Sequence, residues 1–354
     1  MQVPRFTATP NFYNDLKNRV NQYFLETNQA PTGNWRLYTK ATIITLTMVA
    51  IYTTLVFFTP ENPWISVVLC VIAGFAVAAH GFNIMHDGNH GSFSKSKSIN
   101  KIAGYTISIL GGNDFMWKLK HNVMHHGFTN MHGYDDDIEI RPAFRMCPTQ
   151  PHRWFHRFQS IYFVVLYSLL YVLWMFFFDY KKYFTGKIGS FDVPKMALKD
   201  HLLFWSGKIV STFLFFVLPI WKLGFVNGLV GFLIFTLVAG FILSIVFQLA
   251  HVVEDTSFPM ADEALKVDNE WAIHQIQTTA NFATRNPIVT WFCGGLNFQI
   301  EHHLFPSVSH IHYPKISQIV KQTCSEYGVN YIEFPRMSNA VYSHWKTLYD
   351  LGKA

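Results

Sequence analysis

Long apolar stretches alternate with polar, basic ones along the chain. Residues 41–59 are almost entirely apolar or Thr and carry no charge, which predicts a first membrane-spanning helix. A turn over Thr59-Pro60-Glu61-Asn62-Pro63 follows, and Trp64 opens a second apolar helix that can run to His86 or His90. At 1.5 Å per residue this helix is about 40 Å long, against a hydrocarbon core of about 30 Å. Its C-terminal end must therefore project beyond the lipid. Residues 101–113 are too short to cross and predict an interfacial or re-entrant segment. Three further apolar segments lie at about 160–178, 203–221 and 225–250. Phe12, Leu16, Val20 and Phe24 recur every fourth residue and predict a short amphipathic helix, on the membrane or on a cap. Residues 313–327 and 337–351 read as two more amphipathic helices closing a cap.

Composition supports this pattern. Of 354 residues, 50% are hydrophobic and only 14% charged, where a soluble domain carries about 25%. The formal net charge of +6 reads as basic loops facing an anionic leaflet rather than as a nucleic-acid surface. Cys70, Cys147, Cys293 and Cys324 are widely spaced and form no C-x-x-C, so neither a disulfide nor an iron–sulfur cluster is expected. The polar N-terminus shows no cleavable signal. The chain divides into an N-terminal segment 1–40, a membrane and catalytic body 41–325, and a C-terminal cap segment 326–354.

The chemistry sits in three histidine boxes: His86-Asp87-Gly88-Asn89-His90, His121-Asn122-Val123-Met124-His125-His126 and Gln299-Ile300-Glu301-His302-His303. They hold seven of the 17 histidines. On a helix His86 and His90 share one face, as do His121 and His125. The neighbours His125-His126 and His302-His303 point in different directions, so each pair can serve two adjacent metals. A single zinc site needs about four ligands. Seven clustered histidines suit two metals, and nitrogen-rich donors suit zinc, iron, copper or nickel. His251, at the emerging end of the last apolar segment, is an eighth candidate. His80, deeper in its helix, could be a distal ligand but reads better as a hydrogen-bonded helix contact. Gln299, Asp87, Asp135, Asp137 and Glu301 could bind metal or orient the imidazoles from behind.

Metal sharing constrains topology, because all three boxes must lie on one side. If 160–178, 203–221 and 225–250 all crossed, the third box would lie opposite the other two. The segment 160–178 has Arg153 and Arg157 before it and Lys181 and Lys182 after it, so both ends belong on the cytoplasmic side. The expected architecture is all-α: four transmembrane helices, interfacial helices, and a cytosolic helical cap holding a histidine-rich di-metal site. Both termini would be cytoplasmic.

The boxes closely resemble those of the membrane fatty-acid desaturases, and Q-x-x-H-H in the third box resembles the front-end (delta-5/delta-6-like) type. Thr129-Asn130 and Gly294-Gly295-Leu296-Asn297 are also similar, and the likeness covers roughly residues 40–325. It implies a mushroom-like four-span fold and a di-iron centre that uses O2 to insert a cis double bond into a fatty acyl chain. It implies that His86, His90, His121, His125, His126, His302 and His303 bind iron. His251 matches a ligand of related acyl-CoA desaturases, and Gln299 replaces a histidine of the H-x-x-H-H form. Many front-end enzymes carry a fused cytochrome b5 domain with H-P-G-G; this sequence contains no H-P-G-G. Electrons are then expected from a separate cytochrome b5, or from a ferredoxin with its reductase, docking on basic loops. The substrate would be a fatty acyl-CoA or an acyl-lipid, and the setting a bacterial inner membrane in preference to the endoplasmic reticulum. A lipid or alkane hydroxylase would share the same metal site. A non-enzymatic metal carrier would need polar groups inside the spans, which are nearly bare of charge.

Overall fold

The computed structural model describes residues 3–9 and 11–354. Helix α1 (Asn11–Thr27) precedes a bundle of long apolar helices: α2 (Trp35–Phe57), α3 (Pro63–His90), α6 (Trp154–Thr185), α7 (Leu198–Leu223) and α8 (Phe225–His251). Between them lie α4 (Lys97–Ile109) and α5 (114–128). The cap is completed by α9 (Trp271–Gln277), α10 (Pro287–Phe292), α11 (Gln299–Leu304), α12 (Tyr313–Glu326) and α13 (Met337–Lys353). Three two-stranded ladders of two residues per strand tie loops together; two are parallel, Arg5–Phe6 with Lys266–Val267 and Asn281–Phe282 with Glu333–Phe334.

Helix starts follow local chemistry. Asn34 caps α2 by accepting from Arg36 N, and Asn62 caps α3 by accepting from Trp64 N, with Pro63 in the first turn. Asn113 caps α5 through Met116 N, and Asn286 caps α10 ahead of Pro287. Inside the bundle, close packing relies on missing side chains. A Cβ on Gly240 of α8 would fall 2.2 Å from Ser168 O of α6, and one on Gly74 of α3 would fall 2.8 Å from Phe235 O. Glycine at these points lets apolar helices approach without a hydrophobic driving force between them.

The amphipathic reading of the N-terminus resolves in favour of the cap. Phe12, Leu16 and Val20 are buried against Ile276, Ile316 and Val320. The second apolar helix runs 28 residues to His90, without interruption but with one wide π-type turn over Gly81–Met85. The segment expected at 160–178 differs more. It is part of a 32-residue helix, and by length and composition five helices among the described residues, not four, are able to cross a membrane. A bulky apolar run, Trp174-Met175-Phe176-Phe177-Phe178, carries α6 through another wide π-type turn, so no local signal breaks it at 178.

Contacts order the helix ends. Lys222, at the α7–α8 turn, lies over the Phe57 ring at the end of α2, 5.8 Å from its centre. The loops after α2 and α7 thus share one end of the bundle, while α3 and α8 run from that end to His90 and His251. The end of α6 packs on the beginning of α7, with Tyr183 stacked on Phe204 at 4.3 Å. There Lys208 Nζ donates to Asp179 Oδ2 at 3.0 Å and to Gly111 O at 2.6 Å, a buried clamp joining α6, α7 and the turn before α5.

Candidate metal centre

Four elements bring the boxes together at the cap end of the bundle. The end of α3 supplies His86 and His90, α5 supplies His121, His125 and His126, α8 supplies His251, and α11 supplies His302 and His303. Both α3 and α5 contain a π-type turn at or just before their histidines, a distortion that often marks functional sites. In α5 it runs over Leu119–His125, and the His121 and His125 rings stack at 5.3 Å.

The imidazoles form two groups. His86, His90, His121 and His302 offer ring nitrogens all within 4.8 Å of one another, and so do His125, His251 and His303. The adjacent pair His302-His303 divides between them, as its opposed directions predict. His126 lies between the groups: its Nε2 is 3.3 Å from His121 Nε2 and its ring stacks on His303 at 4.3 Å. His121, His125 and Asp137 make a third cluster of donor atoms at the edge. His80 belongs to none of these clusters, and its buried Nδ1 has no partner among the described residues.

Four of these imidazoles have a defined partner behind the ring. His125 Nδ1 donates to Asp135 Oδ2 at 3.0 Å, and His303 Nδ1 to Gln275 Oε1 at 2.8 Å. His302 Nδ1 is 3.2 Å from Tyr313 Oη, and His251 Nδ1 is 3.3 Å from Thr278 O. Such contacts fix ring orientation and leave the other nitrogen free to ligate. The free nitrogens are there: Nε2 of His90, His125, His251, His302 and His303 is buried with no partner among the described residues. So many orphaned acceptors in one pocket would be costly in a metal-free function. The donor set therefore fits transition-metal ions.

Electrostatics point the same way. Burial first, then the neighbouring imidazoles, hold His121, His125, His302 and His303 well below the ordinary histidine range. Burial holds His126 down at about 3. These rings are neutral at physiological pH, the form that binds metal. Burial and Asp137 push the Asp135 carboxyl up, while N–H donors from Asn130 and Asp137 and the Lys120 charge pull it back. Burial opposes the Lys120 ammonium, yet Asp137 and Asp136 hold its pKa above the ordinary value.

The candidate carboxylates and Gln299 separate by environment. Asp135 stands behind His125. Asp87 lies 3.8 Å from His86 Nδ1 and accepts from His310 Nδ1 at 2.9 Å. Glu301 stands apart, accepting from Asn281 Nδ2 at 2.7 Å and Tyr331 Oη at 2.9 Å, and burial pushes it up to about 7. Gln299 is buried, and its Oε1 has no partner among the described residues. Four groups carried no signal in the sequence. Gln275 lies in a loop-like stretch, Trp117 stacks on His121 at 4.4 Å, and Trp271 Nε1 donates to His126 O at 3.1 Å. Phe247, one turn before His251, packs on both His125 and His251 and was hidden in an apolar run.

A family model for fatty acid desaturases matches residues 62–335. The chain belongs to the fatty acid desaturase family. It is 38% identical over 359 residues to the sn-1 linoleoyl-lipid 6-desaturase of Synechocystis sp. (strain ATCC 27184 / PCC 6803 / Kazusa), covering 99% of this chain and 98% of that one. It is 37% identical to the enzyme of the same description from Arthrospira platensis, over 92% of this chain and 88% of that one. It is 38% identical to the acyl-lipid (8-3)-desaturase of Physcomitrium patens, over 96% of this chain and 72% of that one. This desaturase is an oxidoreductase acting on fatty acyl chains in a membrane setting, with histidine clusters able to hold metal.

Proposed function

We propose that the desaturase is an acyl-lipid desaturase of the front-end type with a di-iron centre. In this reading His86, His90, His121 and His302 hold one iron, and His125, His251 and His303 hold the other. His126 lies between them as a further ligand. The observation that carries it is the pair of buried imidazole groups with unpartnered Nε2 atoms. Gln299 shares a helical face with His302 and His303, and its free Oε1 supports a place beside the metals, directly or through water. Iron held there would supply the O2 activation and oxidising power needed to remove two hydrogens from an unactivated acyl chain, chemistry no side chain offers.

The chain's own residues bind, orient and exclude water. Asp135 and Gln275 hold His125 and His303 in one orientation, and Phe247 and Trp117 wall the site. An acyl chain would be placed so that one carbon pair faces the metals. Misplacement by about 1 Å can cost about 100-fold in rate.

For topology we favour four spans, α2, α3, α7 and α8, with α6 lying along the inner interface and the cap and both termini cytoplasmic. Supporting this, the loops after α2 and α7 share one end of the bundle, and the end of α6 packs on the start of α7. Electrons would come from a separate cytochrome b5, or from a ferredoxin and its reductase. The relatives' names point to an acyl-lipid substrate and to position 6 as the first to examine.

The test is a fatty-acid profile by gas chromatography–mass spectrometry in a host that supplies linoleoyl lipids. A new cis double bond mapped toward the carboxyl end, absent with His125→Ala, is expected. A hydroxylated product, or the same product from the variant, would overturn the proposal.

A further inference from the structure

Helix α13 was expected only to close the cap, and one of its faces does so. Ala340, Ser343, His344 and Leu348 are buried, His344 Nδ1 donates to Val252 O at 2.7 Å, and His344 Nε2 accepts from Tyr167 Oη at 3.0 Å. The helix runs along the first half of α6. Gly352 is so close to His156 that a Cβ would fall 2.3 Å from its carbonyl oxygen, and Gln159 Nε2 donates to Leu348 O.

The opposite face is aromatic and uncovered. Tyr342 is 60% exposed and Trp345 38%. Tyr342, Trp345 and Tyr349 form a stacked ladder with ring separations of 6.0 and 5.5 Å. Neighbouring cations sit over rings rather than away from them: Lys353 over Tyr349 at 4.1 Å, and Arg157 over Phe158 at 4.7 Å. The start of α6, against which α13 packs, exposes Trp154 at 70% and Ile161 at 71%. Helix α13 thus lies beside the exposed apolar surface of a helix long and apolar enough to enter a membrane.

Amphipathic aromatic rings beside Lys and Arg are the composition that settles at the level of lipid headgroups. A soluble partner would be met by a mostly polar rim, whereas here the helix on which α13 packs leaves Ile161, Val164 and Val165 bare. We propose that the Tyr342–Trp345–Tyr349 face of α13 is a second membrane contact: it rests in the interfacial layer of the cytoplasmic leaflet and holds the cap down on the lipid from which substrate is drawn. The cytoplasmic side rests on the topology favoured above; the lipid contact itself does not.

The four native cysteines are all buried, so an introduced surface cysteine can be labelled selectively. A nitroxide would be placed at Tyr342→Cys in the full chain, reconstituted in vesicles of phosphatidylcholine and phosphatidylglycerol. Collision rates with O2 and with a water-soluble nickel chelate would be measured. Val68→Cys, on the exposed face of α3, is the lipid control, and Ser325→Cys, on the exposed face of α12, is the aqueous control. Position 342 is expected to favour O2 over nickel several-fold relative to 325, approaching 68. Nickel access equal to that at 325 would overturn the contact. Protection from both reagents would also overturn it, because it would mean that protein covers the face. Failure of the front-end or di-iron reading would leave these collision rates unchanged.

Discussion

Replacing Asp135 with Asn removes one acceptor oxygen and almost no volume. Its carboxylate accepts three N–H donors: His125 Nδ1 at 3.0 Å and Asn130 N at 2.9 Å on Oδ2, and Asp137 N at 3.0 Å on Oδ1. Both oxygens are used, and the side chain is fully buried. An amide has one oxygen, so its NH2 group must face an N–H whichever way it turns. If it faces Asp137, a backbone donor is orphaned; if it faces His125, the imidazole loses its anchor. Leaving a buried donor unpaired costs about 1–3 kcal/mol, which is roughly 5- to 150-fold in an equilibrium constant. Loss of an outer partner of a ligating histidine generally weakens metal binding by a comparable factor, about 10- to 100-fold. Asp135→Asn is therefore expected to lower iron affinity about 10- to 100-fold. The assay is iron per chain by plasma mass spectrometry after equilibration against graded chelator. Iron retention equal to wild type at every chelator concentration would refute the reasoning.

Other outcomes follow from the same geometry. Gln275→Leu leaves His303 Nδ1 and Thr129 Oγ1 without the oxygen that both contact, at 2.8 and 2.9 Å, and iron retention and desaturation should fall together about 10-fold or more. Lys208→Met strands Asp179 in the bundle and should cost about 3–5 kcal/mol in thermal stability, much of it recovered in Lys208→Met/Asp179→Leu; an unshifted single variant would contradict this. Metal-free protein should lose stability as pH falls below about 6.5, since the unfolded chain takes up protons that buried His126, with a pKa of about 3, and its neighbours refuse. Glu301, at about 7, works the other way between about 4.5 and 7, and so does Asp135, which burial also raises, but these are two groups against several; melting temperatures from pH 7.5 to 5 check the net sign. Glu301→Gln should keep wild-type iron content, because that carboxylate faces Asn281 and Tyr331 rather than the histidine groups.

Much of the site was legible because its information is local. Four-residue spacing and adjacent pairs encode direction on a helix, and His302-His303 divides between the groups accordingly. The continuous length of α3, from Pro63 to His90, was legible from its apolar run. What lay hidden depends on contacts distant in sequence. Gln275 reaches His303 from a short helix 28 residues away, and no periodicity marks it. Trp117 and Phe247 read as ordinary apolar residues until the histidines are seen against them. Glu301 was drawn toward the metals by its box, yet its position in α11 turns it to Asn281. The extent of α6 was misjudged because charge at its flanks speaks to the side on which its ends lie, not to where the helix stops.

The central claim is that two groups of buried imidazoles hold two irons. The direct measurement is iron per chain in purified protein, beside zinc and copper, for wild type, His302→Ala and His303→Ala. The account predicts two irons in wild type and loss from different groups in the two variants, with desaturation abolished in both. One metal per chain in active wild-type protein, or full iron content in either variant, would contradict it.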